Sequence, residues 1–152
     1  MREILFRGQT RRYGEKVRMG DGQKLPSRWV YGGVLQGVGD HSIIYGGENE
    51  NNPAAGLDKW VVYTDTLGQY TGLTDKNGKK IFEGDILKDD WGQIYKVFYT
   101  TTNCSFMVKC TVSENEWQTG NYRIGESWCG TIKVIGNIHD NPEILEVQHG
   151  NQ

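Results

Sequence analysis

The sequence is poor in the residues that mark several common classes of protein. It has 3 Pro and 3 Cys in 152 residues, and its cysteines, Cys104, Cys110 and Cys129, form no Cys-x-x-Cys pair. So little proline argues against a Pro-rich disordered chain. An odd cysteine count without paired spacing argues against a disulfide framework. We therefore expect a folded protein that works in a reducing compartment.

An excess of one charge and a long apolar run are also missing. The formal net charge is −2, whereas a dedicated duplex-binding domain usually carries a basic excess. No apolar stretch is long enough to cross a bilayer, and no N-terminal run resembles a signal peptide. These absences predict a soluble cytoplasmic protein with no membrane partner. They make nucleic acid a less favoured partner without removing it.

Catalytic and metal-binding motifs are missing as well. The sequence contains no Gly-x-Ser-x-Gly, no phosphate-binding Lys loop and no His-Glu-x-x-His. The histidines, His41, His139 and His149, do not combine with the cysteines at structural-zinc spacing. We therefore predict no catalytic residues, no cofactor and no metal, and a protein that is not an enzyme.

Glycine and aromatic residues, in contrast, are plentiful. Gly accounts for 21 of 152 residues, about twice the usual share of roughly 7%, and this favours a fold with many turns. With 5 Trp and 8 Tyr, a modest core is feasible. The length suits one domain spanning 1–152, with lobes at 1–67 and 68–147 as a subdivision.

Short alternating segments predict the strands. The expected strands are 2–7, 29–35, 41–45, 59–64, 94–100, 106–112, 117–124 and 131–138. Residues 41–45 are expected to pair with 29–35. Residues 8–28 are predicted to be irregular, because they are polar and glycine-rich.

A tight hairpin lies at the centre of the chain. Asn77 and Gly78 tolerate positive φ, as a type I′ turn or a G1 bulge requires, and apolar residues flank them on both sides. From Asp85 onward, a Gly-Asp turn followed by strands has the look of an SH3-like opening. Asn141-Pro142-Glu143 has helix-start chemistry and predicts a short C-terminal helix through Glu146. Together these features predict an all-β, barrel-like fold with mixed or antiparallel strands and an SH3-like C-terminal part.

Four separated segments resemble one known family. The run from Gly68 to Ile86, the opening Met1–Gly8, the tryptophan-led strand at Trp29–Gly32 and the segment Ile135–Leu145 are together similar to the YopX family of small bacteriophage and prophage proteins. The resemblance implies a mostly β fold and a phage or prophage origin. With the cytoplasmic location expected from the composition, we predict a protein of the host-cell cytoplasm. The resemblance implies no enzyme activity.

Two groups of polar residues are candidate sites. The basic group would contact nucleic acid through the segment 8–28 and the hairpin lysines: Arg11, Arg12, Lys16, Arg18, Lys76, Lys79 and Lys80. The alternative for these residues is a solvated surface. The second group, Glu83, Asp85 and His139, is a candidate polar site. Its alternative is structural, with Asp85 accepting backbone N–H bonds in a turn and His139 lying in a strand-end turn capped by Asp140 and Asn141.

Aromatic residues give a third candidate surface. Trp91, Tyr95, Phe98 and Tyr99 could stack single-stranded bases if they shared an exposed face. The alternative is that one set of these aromatics belongs to the core.

The preferred functional hypothesis is a phage or prophage protein that acts by binding or assembly, as a homo-oligomer or with a host or phage protein. Unblunted edge strands favour such assembly. The alternative is a nucleic-acid-binding module that uses the basic residues.

Overall fold

The computed structural model describes residues 2–10, 17–18, 24–25, 28–37, 39–53, 58–112 and 120–146. Within these residues the protein is mostly β, as the sequence predicted. Contacts cluster into two compact units, Met1–Tyr70 and Thr71–Gln152. No described helix is long and apolar enough to cross a membrane.

The first unit contains one antiparallel sheet. Its strands are β1 Phe6–Gln9, β4 Trp29–Leu35, β5 His41–Gly47, β6 Asp58–Tyr63 and the start of β7 Gly68–Thr74. They lie in the order β6-β5-β4-β1-β7. A separate pair of two-residue strands, β2 Val17–Arg18 and β3 Lys24–Leu25, lies in the segment that was predicted to be irregular. A 3-10 turn, Thr64–Thr66, follows β6.

One face of this sheet carries the core of the first unit. Val30, Ile44 and Val62 are fully buried, and Val34, Trp60 and Leu67 pack against them. The predicted pairing of 41–45 with 29–35 is confirmed, with Leu35 opposite Ile43. Across the same two strands Gly32 lies opposite Gly46. A Cβ added to Gly32 would overlap the Tyr45 carbonyl oxygen, so only glycine allows these backbones to approach so closely.

The first strand was predicted at the wrong residues. The expected strand was 2–7, but the ladder runs from Phe6 to Gln9. Arg7 and Gln9 are buried in this strand, and Arg7 lies 4.5 Å from the centre of the Trp29 ring. Buried polar residues do not contribute to an alternation of apolar residues. The strand predicted from that alternation therefore ended at Arg7, two residues before the observed end at Gln9.

The second unit contains an antiparallel sheet of five strands. These are β9 Asp85–Asp89, β10 Ile94–Thr100, β11 Ser105–Val112, β12 Gly120–Arg123 and β13 Ile132–Asn137. Their order is β12-β11-β10-β9-β13. The end strands β12 and β13 do not pair with each other in the described part of the chain, so the sheet is open and is barrel-like only in a loose sense.

A hairpin and two short helices complete the second unit. The end of β7 leads through a turn to β8 Lys80–Phe82, and Gly78 in that turn has φ +81°, as the sequence predicted. Helix α2 Glu143–Glu146 confirms the expected C-terminal helix. Helix α1 Glu126–Cys129 was not predicted, because four residues are too few to show a helical period.

The core of the second unit follows the alternation in β10 and β11. Tyr95 and Val97 are buried together with Val108 and Cys110. Four more buried residues complete this cluster: Ile81, Leu87, Cys129 and Ile132. Leu73, Ile124, Trp128 and Val134 pack against it.

Candidate functional site

The three residues of the predicted polar site lie on neighbouring segments of main chain. The turn between β8 and β9 contains Glu83, and its Gly84 carbonyl accepts the Ile138 N–H at 2.9 Å. Asp85 lies opposite Asn137 in the ladder between β9 and β13. His139 follows directly after Ile138. The tertiary structure therefore joins two segments that are more than fifty residues apart in the sequence.

Asp85 has a structural task in this arrangement. The residue is 1% exposed, and one carboxylate oxygen accepts the Phe82 N–H at 2.8 Å. That bond closes the turn between β8 and β9, as the structural alternative for Asp85 expected. A carboxylate buried in a turn is poorly placed to meet a substrate.

Asn137 organises the segment that contains His139. Its side-chain oxygen accepts the N–H groups of His139 at 3.0 Å and Asp140 at 2.9 Å. Its side-chain nitrogen donates to the Asp140 carboxylate at 3.0 Å, and the Asn141 side chain accepts the Asn137 N–H at 3.3 Å. These bonds make a self-capped turn at the end of β13. In the described ranges, no group of three or more His, Cys, Asp or Glu is arranged to hold a metal ion.

A second buried polar group surrounds Tyr95 and was not predicted. The Tyr95 hydroxyl lies 3.0 Å from an Asp89 carboxylate oxygen and 2.8 Å from the Gln93 side-chain oxygen. The other Asp89 oxygen accepts the N–H groups of Trp91 and Gln93. Burial raises the pKa of Tyr95 above its ordinary value, and the bond to Asp89 raises it further. The phenol therefore stays protonated and holds the turn between β9 and β10.

Asp75 is a third buried carboxylate with structural bonds. One of its oxygens accepts the N–H groups of Asn77 and Lys79, each at 2.9 Å. The other accepts the Val134 N–H at 3.0 Å. The main chain adds a bond from the Lys76 N–H to the Ile132 carbonyl at 3.0 Å. These bonds attach the turn between β7 and β8 to β13.

A polar cleft of about 350 Å³ lies beside this turn. It is lined by residues 72–76 together with Glu126, Cys129 and Gly130. The Cys129 thiol donates to the Gly125 carbonyl at 3.3 Å. Burial raises the pKa of Cys129, and the negative charges of Glu126 and Asp75 raise it further. The thiol therefore stays protonated near neutral pH and is a poor nucleophile.

Only part of the basic group lies within the described residues. Arg11, Arg12 and Lys16 lie outside those residues, and Arg18 is described only by its place in β2. In the hairpin, Lys76 forms an exposed ion pair with Asp90 at 2.9 Å. Lys79 and Lys80 each take part in a further interaction.

The aromatic candidates are divided between surface and core. Tyr95 is buried, whereas Trp91 is 66% exposed. Tyr99 is exposed and meets Phe106 edge to face, with ring centres 5.3 Å apart. Phe98 alternates with Tyr99 and so points to the opposite side of β10. These four residues therefore do not share one stacking surface.

An exposed apolar row crosses the first sheet on the side away from its core. Leu35 lies opposite Ile43, and Ile43 lies opposite Val61, so all three share one face. Leu35 and Val61 are each 57% exposed, and Ile43 is partly exposed. We call Leu35, Ile43 and Val61 the apolar row. Aliphatic side chains that lie opposite each other on three neighbouring strands make a surface of the kind that binds other proteins.

Aromatic residues extend the same face on both sides of the apolar row. Tyr45 is 51% exposed and lies opposite Lys59. His41 lies opposite Tyr63, with ring centres 4.7 Å apart. Sequence reasoning did not single out this face. A signal was present, since 59–63 is apolar on both sides of the strand, with Val61 and Tyr63 alternating with Trp60 and Val62.

Comparison with known proteins identifies the family. A family model described as YopX protein matches residues 25–146, which is most of the chain. The chain belongs to the YopX family. The match includes the central hairpin and the capped turn after β13 that carried the resemblance. It also includes all three strands of the apolar row. No curated protein matches the sequence.

Proposed function

We propose that this YopX protein acts by binding and assembly, not by catalysis, and that its first partner is a second copy of itself. The observation that supports the proposal is the exposed apolar row with its aromatic flanks. Isolated exposed apolar residues are common, but three that lie opposite each other on adjacent strands favour a protein interface.

The polar candidates support the same proposal. The carboxylates of Asp75, Asp85 and Asp89 all accept main-chain N–H bonds in turns. The buried Tyr95 and Cys129 both have raised pKa values, so each stays protonated at neutral pH. The buried acidic groups thus hold turns, while the most distinctive surface is apolar.

The setting proposed for this activity rests on the resemblance to phage and prophage proteins. We propose a phage or prophage protein that works in the host cytoplasm. Besides a second copy, the partner that fits this setting is a host or phage protein.

Light scattering with size-exclusion chromatography tests the assembly. We expect a mass of at least twice that of the chain at micromolar concentration, and dissociation on dilution. A single species with the mass of one chain throughout the micromolar range would contradict self-assembly.

The nucleic-acid alternative is tested separately with single- and double-stranded DNA and RNA at low salt. Binding through the basic residues requires retention that weakens steeply as salt rises, because phosphate contacts release counterions. Exchanging Lys79 and Lys80 for Gln together should then reduce retention. If the protein retains none of these nucleic acids at low salt, the alternative fails.

A further inference from the structure

We propose that two copies join edge to edge through β6, in an antiparallel pairing centred on Val61. This inference rests on the proposed self-assembly and specifies its interface. It starts from the position of β6, which is the last strand of the first sheet. Among the described residues β6 pairs only with β5.

The hydrogen-bonding pattern shows which groups of β6 point away from the sheet. The Thr64 N–H donates to the Asp40 carbonyl at 2.8 Å, one step beyond the pair of Tyr63 with His41. Bonded and non-bonded pairs alternate in an antiparallel ladder. Val62 and Trp60 therefore bond to β5, and Val61, between them, directs its N–H and C=O outward. The same reasoning applies to Lys59 and Tyr63, and one acceptor position of the Tyr63 carbonyl is taken by the Thr66 hydroxyl.

The edge of β6 lacks most of the devices that prevent strand pairing. Its ladder with β5 is regular over six residue pairs, and the strand has no proline and no bulge. The strand carries two charges, Asp58 and Lys59, and the Tyr63 carbonyl at its end accepts a bond from the Thr66 hydroxyl at 2.6 Å. In the second unit, by contrast, the outer side of β13 is occupied, since Val134 donates to Asp75 and Ile132 accepts from Lys76.

A two-fold pairing about Val61 suits a second copy of the same strand. Val61 then faces Val61 of the partner, and both exchange main-chain bonds through groups that already point outward. Lys59 faces the partner's Tyr63, which sets a cation beside an aromatic ring. Asp58 faces the partner's Thr64, so no like charges oppose each other. The charge of Lys59 therefore does not prevent this pairing.

The same pairing doubles the apolar row. The order across the joined sheet becomes Leu35, Ile43 and Val61, followed by the partner's Val61, Ile43 and Leu35. Six aliphatic side chains then form one continuous strip. Main-chain bonds at the edge and side-chain contacts on the face thus favour the same register, which a peptide of unrelated sequence would not provide.

Disulfide trapping tests the register directly. The exposed Cys104 is first replaced by Ser, because Cys110 and Cys129 are buried. In that background Val61→Cys places two thiols on residues whose Cα atoms are about 5.5 Å apart, within disulfide range. The matched control is Lys59→Cys, because the two copies of residue 59 lie four residues out of register, about 13 Å apart. We expect a disulfide-linked dimer from Val61→Cys and at least about tenfold slower linkage from Lys59→Cys.

A charge substitution tests the same edge, with the mass of the assembled species in solution as the measurement. Val61→Lys sets two ammonium groups against each other, and we expect the dissociation constant to rise at least about tenfold. Because Val61 is exposed, the variant should keep its far-ultraviolet dichroism. Leu35→Lys is the matched control, since Leu35 has the same exposure on the same face but lies two strands from the edge. We expect it to weaken assembly less.

The outcomes separate this inference from the function on which it rests. If the unmodified protein stays a single chain at micromolar concentration, both fail. If it assembles but Val61→Lys leaves the mass unchanged, or Lys59→Cys links as fast as Val61→Cys, assembly stands and the β6 interface is wrong. If Leu35→Lys weakens assembly more than Val61→Lys, the interface is the face and not the edge.

Discussion

Removal of the Asp75 carboxylate should destabilise the protein more than its place at a hairpin turn suggests. The residue is 5% exposed. It accepts N–H groups from Asn77, Lys79 and Val134. The first two bonds shape the turn, and the third ties it to a strand 59 residues away.

The magnitude follows from these three bonds. A hydrogen bond to a charged group contributes about 1.5–3 kcal/mol, and the contributions are not additive when groups share one acceptor. Asn77 and Lys79 are exposed, so water can replace part of their bonds. We expect Asp75→Ala to lower the free energy of unfolding by about 3–5 kcal/mol. Asp75→Asn keeps one acceptor oxygen, and we expect it to cost about 2 kcal/mol.

Urea unfolding followed by far-ultraviolet dichroism measures both losses, and Asp90→Ala is the control. Asp90 also neighbours this hairpin, but its ion pair with Lys76 is exposed, with side chains 48% and 39% accessible. Such pairs contribute less than about 1 kcal/mol. If Asp75→Ala costs no more than Asp90→Ala, the buried carboxylate is not what fastens the turn to β13.

Three further predictions concern other parts of the two units. Gly32→Ala should lower the free energy of unfolding by more than about 3 kcal/mol, because the new Cβ meets a carbonyl oxygen. The control is Gly33→Ala, which has nothing within 4 Å of its Cβ and should change that free energy by less than about 1 kcal/mol. Equal losses in the two variants would contradict the close approach of the strands. Tyr95 should not ionise in an absorbance titration until the protein unfolds. The pKa of Tyr95 is higher in the folded state than in the unfolded state. Its contribution to folding stability is therefore complete below the unfolded value of about 10 and is lost as pH rises beyond it. Tyr95→Phe should reduce this alkaline loss of stability, and an unchanged dependence of stability on pH would contradict the role given to the buried phenol. A thiol reagent should label one cysteine, the exposed Cys104, quickly, and Cys129 and the remaining cysteine only on unfolding; three fast thiols would contradict their burial.

The sequence predicted the strands best where one face of the strand is buried and the other is not. Residues 94–100 and 106–112 alternate regularly, and the structure buries Tyr95, Val97 and Val108 from them. Prediction failed where a strand carries polar residues inward, as at Arg7, because burial there depends on a partner such as the Trp29 ring.

The candidate site was predicted only in part. The sequence named Asp85 and His139 and also named the turns that hold them. It did not reveal the apolar row, because Leu35, Ile43 and Val61 come from three strands and become neighbours only through pairing. Periodicity shows which side of a strand a residue is on, but not whether that side is covered.

The amino-acid sequence by itself determined the local geometry of this YopX protein. Its glycines, its Asn-Gly turn and its alternating strands encode a β fold, because turn chemistry and the two-residue period of a strand act over a few residues. The tertiary structure alone decided which buried carboxylate reaches which distant N–H, and which strand is left at the edge of a sheet. Those outcomes depend on strand order and register, which arise from long-range packing, and the proposed assembly through β6 depends on them.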